Sequence, residues 1–551
     1  MYQWEILSKY QAKESILEQL LASRGIITKN EKEQFINPPP FNYWFERLPK
    51  ELLKSLKHAR ELLIEAMKAQ RTIIIHGDYD ADGVCATAIL YKTLKYELGY
   101  ENVFPFMPNR FEHGYGFSER SIDKVLEMSG LKKTKQSALF VTVDCGITSK
   151  AEVDILKKLG HEVIITDHHQ KPDGLPRADV IVWYDQVVGA ALAYLLSRVM
   201  GGKSKEYLAL VSIATVTDLQ PVLGFNRTFV KDGLEIINSK PPQGVKHLLE
   251  VAGKVGQEVT AYDLGWLIGP RLNATGRVED ARKALDLLTE ENETKVKELA
   301  WELNRVNSLR QDKTIEMFEL AAELEDGDLP KVIISLHDNY HEGIIGLVAS
   351  RLAQKYHRPA VVISTAQEMC KGSARSIKGL NIIEALRSLD ANLFISLGGH
   401  PMAAGFSMER SQIDKFVKKL TEFVDRYLDD KALIKTLEID MEIPPSIINK
   451  QTVAQLDKLK PYGIGNSTPV FCSTGFSVSG TNIIGSQKQH LALRLYDGQN
   501  FYRAIYFNFR DHFKEEVKVG DKIEAAYNLK VNEYRDQETV ELVLKDIKIT
   551  G

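Results

Sequence analysis

Three short stretches of this chain gather side chains that bind hard cations. HGDYDADG places His76, Asp78, Asp80 and Asp82 within seven residues, directly after the apolar run Ile73-Ile74-Ile75. Leu139 to Val143 is a second apolar run, ending in Asp144-Cys145-Gly146, and Val163 to Thr166 is a third, ending in Asp167-His168-His169. A β-branched run that stops at acids and a glycine reads as a buried strand opening into a loop. Open parallel α/β sheets bind ligands beyond the carboxyl ends of their strands. A fourth acid, Asp218, closes the apolar helical run from Tyr207 to Val216. Crowded carboxylates repel one another unless cations lie between them. Carboxylate oxygens suit Mg²⁺ and Mn²⁺, and imidazole shifts the choice toward Mn²⁺.

Each stretch also has a plainer reading. An aspartate after a strand often caps a helix, and Asp78 is placed to cap the helix that starts near Gly83. Cys145 reads as a small buried hydrophobe. What structure alone does not explain is the recurrence of acids and imidazoles at successive strand ends. Further along, Gly398-Gly399-His400 offers backbone amides that can approach a phosphate closely, with His400 as a hydrogen-bond donor. Ser373 and Arg375 supply a hydroxyl and a guanidinium fork, a pair suited to a terminal phosphate.

HGDYDADG, VDCG and TDHH resemble the successive motifs of the DHH phosphoesterase superfamily. GPRLNATGR, HEGIIGLVASRL, KGSARS, GGHPMAAGF and PYGIGNSTPVF resemble, in order, the later motifs of its RecJ-type single-strand-specific 5′→3′ exonuclease branch. The resemblance implies one cation held by His76, Asp80 and Asp144, and another by Asp82, Asp144, His168 and Asp218, with Asp144 bridging. Asp78 and His169 would orient ligands or meet the phosphate, and His400 would join them in catalysis. Arg110, Tyr115, Arg277, Ser373, Arg375, Gly399 and His400 would bind the substrate, the arginines and Ser373 at a 5′-phosphate. The implied cofactors are two divalent ions, Mn²⁺ first and Mg²⁺ second. The implied substrate is single-stranded DNA with a 5′ end, in recombination and repair. A single-strand-binding protein and a helicase are the implied partners.

Rivals within the superfamily are an oligoribonuclease or cyclic-dinucleotide phosphodiesterase and a family II pyrophosphatase. A noncatalytic replication scaffold is the rival of a different class. Such scaffolds lose ligand acids, and none is missing here. The chain departs from the family pattern at Tyr340, at Ala374, and in a shortened segment from Asp179 to Ala190. No extra domain is expected beyond the C-terminal barrel.

The elements that must position these groups are legible coarsely. Charged residues make up 26% and hydrophobic residues 44% of 551, an ordinary globular balance. A formal net charge of −3 argues against nonspecific coating of nucleic acid. No apolar run nears the roughly 20 residues that span a bilayer. The four cysteines are scattered, which suits a reducing cytoplasm. A cytoplasmic monomer is expected. The fold class is α/β: two α/β lobes, DHH and DHHA1, joined by a long helix, plus a C-terminal OB-like β-barrel. Residues 1–50 are read as helical, ending at Pro38-Pro39-Pro40; 51–225 as the catalytic domain; 226–327 as a helical region with a single long connector helix near 283–326. Residues 328–428 are read as the substrate-binding domain. Residues 429–551 are read as a linker and a barrel of five strands, carrying Lys488, His490, Arg494, Arg503 and Arg535 as candidate DNA contacts.

Overall fold

The computed structural model describes residues 2–550 apart from 115, 135, 323–328, 512, 514 and 535–536. Tyr115 and Arg535 therefore lie outside the described residues. The chain divides into two compact units: Glu33–Asp312 with Pro461–Ser467, and Met1–Lys32 with Lys313–Lys460 and Thr468–Gly551.

The first unit is built on a five-stranded parallel sheet. Its spatial order is Val103–Phe106, Ile73–Gly77, Leu139–Val143, Glu162–Asp167, Val180–Trp183. Ile73, Ile74, Ile75, Leu139, Phe140 and Val141 are fully buried, because helices cover both faces of the sheet. By chain order the strands run 2-1-3-4-5. The connections reverse direction between Ile73–Gly77 and Leu139–Val143, and the crevice at such a reversal is where open α/β sheets take ligands. Helix Lys50–Lys68 buries Leu52, Leu56, Ala59, Leu63 and Ala66 along one stripe. Helices Ala81–Lys92, Gly189–Met200 and Tyr207–Thr217 are buried nearly all round. Residues 461–467, from the PYGIGN motif, also belong here: Val222 N–H donates to the Ile464 carbonyl (2.8 Å) and the Arg227 guanidinium to the Pro461 carbonyl (3.1 Å).

The second unit holds a mixed sheet in the order Ser396–His400, Ala403–Glu409, Met369–Arg375, Ala360–Ser364, Ile333–His337, with only the last pair parallel. It also holds the expected barrel. Strands Phe471–Ile484, His490–Tyr496, Phe501–Tyr506, Gln537–Ile549 and Lys522–Tyr534 pair in sequence, and Lys522–Tyr534 returns to pair with Phe471–Ile484, closing the ring. The long first strand serves two neighbours because irregularities at Ser473/Phe476 and Val478/Gly480 bend it. No described helix is long and apolar enough to cross a membrane.

Two local expectations are corrected. The first residues are not helical: Gln3–Ile6 is a strand paired in parallel with Thr436–Ile439. Trp4 donates to Asp546 Oδ2 (2.8 Å), so partners more than 400 residues away override the helical periodicity. Helix Lys29–Ile36 does stop just before the triple proline, but helices resume beyond it at Phe41–Phe45 and Lys50–Lys68, each preceded by a proline. The single connector is two helices, Arg282–Thr289 and Glu293–Ala321. Glu290 Oε1 accepts from the amides of Glu291 and Asn292, and Asn292 Oδ1 accepts from Lys295, so acceptor side chains cap a fresh start. The chain passes from one unit to the other within the second helix.

Candidate metal centre

The loop after Ile73–Gly77 is tied down by its own backbone. Asp80 caps helix Ala81–Lys92, its Oδ1 accepting from the amides of Asp82 and Gly83 at 3.0 Å each. The capping role expected of Asp78 thus falls to Asp80. A Cβ on Gly83 would stand 2.3 Å from the Asp78 carbonyl oxygen, so only glycine fits that close turn. Ala81 N–H donates to Asn273 Oδ1 (2.8 Å), which links this loop to helix Gly269–Val278.

Asp144, at the end of the next strand, adopts φ +60°, a left-handed conformation that a non-glycine residue holds only where its surroundings impose it. Its N–H donates to the Thr166 carbonyl (3.0 Å). Asp82 is fixed from the other side, accepting from Gly189 N–H (2.7 Å) and Ala190 N–H (2.6 Å) at the start of helix Gly189–Met200. Asp167 is buried and accepts from the amides of Ile147, His168 and His169, and His169 Nδ1 lies 2.7 Å from its Oδ1.

These supports bring ligand atoms into three overlapping groups, each within 4.8 Å: Asp78, Asp80 and Asp144; Asp82, His168 and Asp218; Asp144, His168 and His169. His168 Nε2 lies 3.1 Å from Asp144 Oδ1, 3.5 Å from Asp82 Oδ2 and 3.8 Å from Asp218 Oδ2. His76 is in none of these groups. Its Nε2 lies 2.9 Å from Ser121 Oγ, the Cys145 thiol is 4.0 Å from Nδ1, and burial pushes its pKa down to about 3.

Burial and then mutual repulsion raise the acids. Asp144 is held well above the carboxylate range, Asp82 is raised, and Asp78 and Asp218 are each pushed up to about 8. His168 is depressed by burial, which outweighs the attraction of Asp82. Burial also works against the charged form of His169, but the hydrogen bond and proximity of Asp167 prevail and lift it to about 9. Among the described residues, Asp78 Oδ1, Asp144 Oδ1 and His168 Nε2 are buried with no hydrogen-bond partner, the last two meeting only in an ion-pair contact of 3.1 Å. Buried polar atoms are rarely left so. An oxygen-rich donor set with two imidazoles and orphaned inward-facing atoms fits divalent cations.

The other expected site residues fall into two places. In the first unit, Arg110 and Arg277 stand close enough to depress the Arg277 guanidinium, after the larger effect of burial, and neither forms an ion pair among the described residues. Arg110 also lies over the Tyr79 ring, 5.6 Å from its centroid. In the second unit, Arg375 donates to Ser373 Oγ (3.0 Å) and Ser350 Oγ (3.1 Å). Gly399 has φ +149°, and a Cβ there would lie 2.5 Å from Ala404 Cα, while His400 is exposed at the end of its strand. On the barrel, Tyr502 and Tyr506 are core; Phe501 is 54% exposed, stacked on Tyr496 with the Arg494 guanidinium 4.2 Å from its centroid. Arg503 pairs with Glu541 (2.8 Å).

Sequence reasoning gave no role to Asp167, Gly189, Ala190 or Asn273. Asp167 sits inside the Asp-His-His triplet itself, which was a sufficient cue. The amide donors at 189 and 190 carry no side-chain signal.

Three family models match the chain: the DHH family N-terminal domain over 72–215, the DHHA1 domain over 329–426 and the RecJ OB domain over 439–546. The single-stranded-DNA-specific exonuclease RecJ of Escherichia coli is 31% identical, over 97% of this chain and 95% of that protein. That of Bacillus subtilis is 30% identical, over 99% of this chain and 71% of its own length. The chain belongs to the RecJ family. The crystal structure of RecJ from Thermus thermophilus in complex with Mn²⁺ superposes with a TM-score of 0.81 at 29% identity, covering 99% of this chain and 79% of that one. A crystal structure of exonuclease RecJ bound to manganese gives 0.58 at 35% identity, over 69% and 96%. In this RecJ-family chain the segment 179–190 does structural work at both ends. Trp183 Nε1 donates to the His169 carbonyl (2.8 Å), and Gly189 and Ala190 hold Asp82.

Proposed function

We propose that this protein is a 5′→3′ exonuclease that hydrolyses single-stranded DNA and releases 5′-mononucleotides, in recombination and repair within the cytoplasm. The observation that carries the reading is the buried Asp-His cluster with unpartnered Asp78, Asp144 and His168 atoms at the sheet's reversal point. Family membership supports the substrate, since the relatives are named as single-stranded-DNA-specific exonucleases.

Asp80 and Asp144, with Asp78 and the expected ligand His76, would hold one divalent cation, and Asp82, Asp144, His168 and Asp218 the other. When bound, such a cation pair lowers the pKa of water and neutralises phosphate charge. Asp144 would serve both positions. Asp167 holds the His169 ring, positioning an imidazolium to meet phosphate oxygen. Arg110 and Arg277, without an ion pair among the described residues, suit the 5′-phosphate, and Ser373 with Arg375 suit a phosphate as well. Gly399 would let the backbone approach DNA closely, and His400 would donate to the scissile phosphate. Phe501 with Arg494 suits base stacking on the barrel. Mn²⁺ is the preferred ion and Mg²⁺ the alternative.

The test is digestion of end-labelled, 5′-phosphorylated strands, DNA against RNA, with Mn²⁺ and with chelator. Metal-dependent release of mononucleotides from the 5′ end of DNA is expected. Equal or faster cleavage of short RNA would point to an oligoribonuclease instead.

A further inference from the structure

Helix Gly269–Val278 runs past the metal centre, and its contacts order the site along its length. At its C-terminal end lies Arg277, beside Arg110. Immediately before it, a Cβ on Gly276 would be 2.5 Å from the Tyr79 carbonyl, and one turn back Asn273 holds Ala81, so this stretch lies against the Asp78–Asp80 loop. At its N-terminal end, a Cβ on Gly269 would be 2.2 Å from Thr217 Cγ2, immediately before Asp218. Preceding it, Ala261–Asp263 and the wider turn Leu264–Ile268 carry Tyr262 and Trp266. These two rings stack at 5.7 Å with planes 25° apart, and each residue is 67% exposed. Positions four apart share one helix face. Leu219, next to Asp218, is 67% exposed as well.

This pair is firmly seated. Asp263 Oδ2 accepts from Thr260 N–H (2.7 Å) and Oγ1 (2.8 Å), Lys254 reaches Asp263 at 3.2 Å, and Arg271 donates to the Leu267 carbonyl (2.7 Å). Wide helical turns of this kind recur at functional sites. A rigid, exposed Tyr–Trp stack has no role in the core. Eleven residues separate Trp266 from Arg277, roughly 16 Å at helical rise, the reach of a few nucleotides.

We propose that Tyr262 and Trp266 form a base-stacking platform for the DNA strand on the 3′ side of the scissile bond. The assignment rests on the nuclease reading: a 5′-phosphate at Arg110 and Arg277 puts the cut between the arginines and Asp218, and the downstream bases beyond Asp218. The platform accepts any base, since every base presents a π-face.

Binding and cleavage are read separately. Anisotropy of labelled 5′-phosphorylated dT12 with full-length protein in chelator measures binding without cutting. Stacking of about 1–3 kcal/mol per base corresponds to roughly 5- to 150-fold in Kd, so Trp266→Ala should weaken dT12 in that range and Tyr262→Ala by less. Trp266→Phe should restore most of the affinity. Cleavage of the dinucleotide pdTpdT in Mn²⁺, too short to reach the platform, should stay within threefold of wild type in every variant. An unchanged dT12 Kd in Trp266→Ala, or an equal loss on pdTpdT, overturns the platform. If wild type binds dT12 with this Trp266 dependence yet never cuts it in Mn²⁺, the nuclease reading fails while the platform stands.

Discussion

The candidate metal centre and the glycine-rich strand Ser396–His400 both carry imidazole and polar groups, yet they are built in opposite ways. At the candidate metal centre Asp78, Asp82, Asp144 and Asp167 are each at most 2% exposed; Asp82 and Asp167 accept from amides of distant segments, and Asp144 N–H donates to the Thr166 carbonyl. On the strand, Gly398, Gly399 and His400 are all exposed, and only the backbone register with Ala403–Gly405 defines them. Buried acids are costly without a cation, so the first region couples stability to metal. The second can change its chemistry without touching the fold.

Asp144→Ala should break the first region most completely. Cleavage is expected to fall more than about 10³-fold, beyond the 10–100-fold typical of outer partners, with dT12 binding little changed. Melting scans should agree: Mn²⁺ at 100 times its Kd stabilises wild type by about 2.7 kcal/mol, a shift absent from the variant. Near wild-type cutting would reject the site. His400→Ala probes the contrast directly, with turnover expected to drop by about 10²-fold, as for loss of a transition-state donor, while the melting temperature stays put. A destabilised His400→Ala would show that the strand is structural after all.

Gly189→Ala puts a Cβ 2.6–2.9 Å from Asp144. A 10–100-fold rise in the Mn²⁺ concentration needed for half-maximal activity is expected, and an unchanged requirement would mean the approach has slack. Arg375→Ala should weaken the preference for 5′-phosphorylated over 5′-hydroxyl ends by about tenfold, the loss of one charged hydrogen bond, with a smaller effect on turnover. An unaltered preference would move the phosphate contact elsewhere.

The smallest effect lies outside both regions. His161 accepts from Ala138 N–H (3.0 Å) and burial lowers its pKa. Its neutral form belongs to the folded state, so its contribution is complete above the unfolded value of about 6.5 and is lost as pH falls below it. Denaturant midpoints between pH 7.5 and 5.5 should therefore decline less steeply in His161→Asn than in wild type. Identical slopes would remove His161 from the account.

The sequence by itself determined which acids and imidazoles stand at the ends of the parallel strands. Acids after β-branched runs are a local signal, and the five barrel strands follow from local alternation. Tertiary structure decided what depends on distant backbone. It engaged His76 with Ser121 and Cys145 while turning Asp78 toward Asp80 and Asp144. It recruited the amides of Gly189 and Ala190, drew 461–467 into the first unit, and paired Gln3–Ile6 with Thr436–Ile439. The physical reason is common to these cases: a peptide N–H or C=O is the same at every residue, so its partner is set by which segments meet in the fold and leaves no mark in the local pattern.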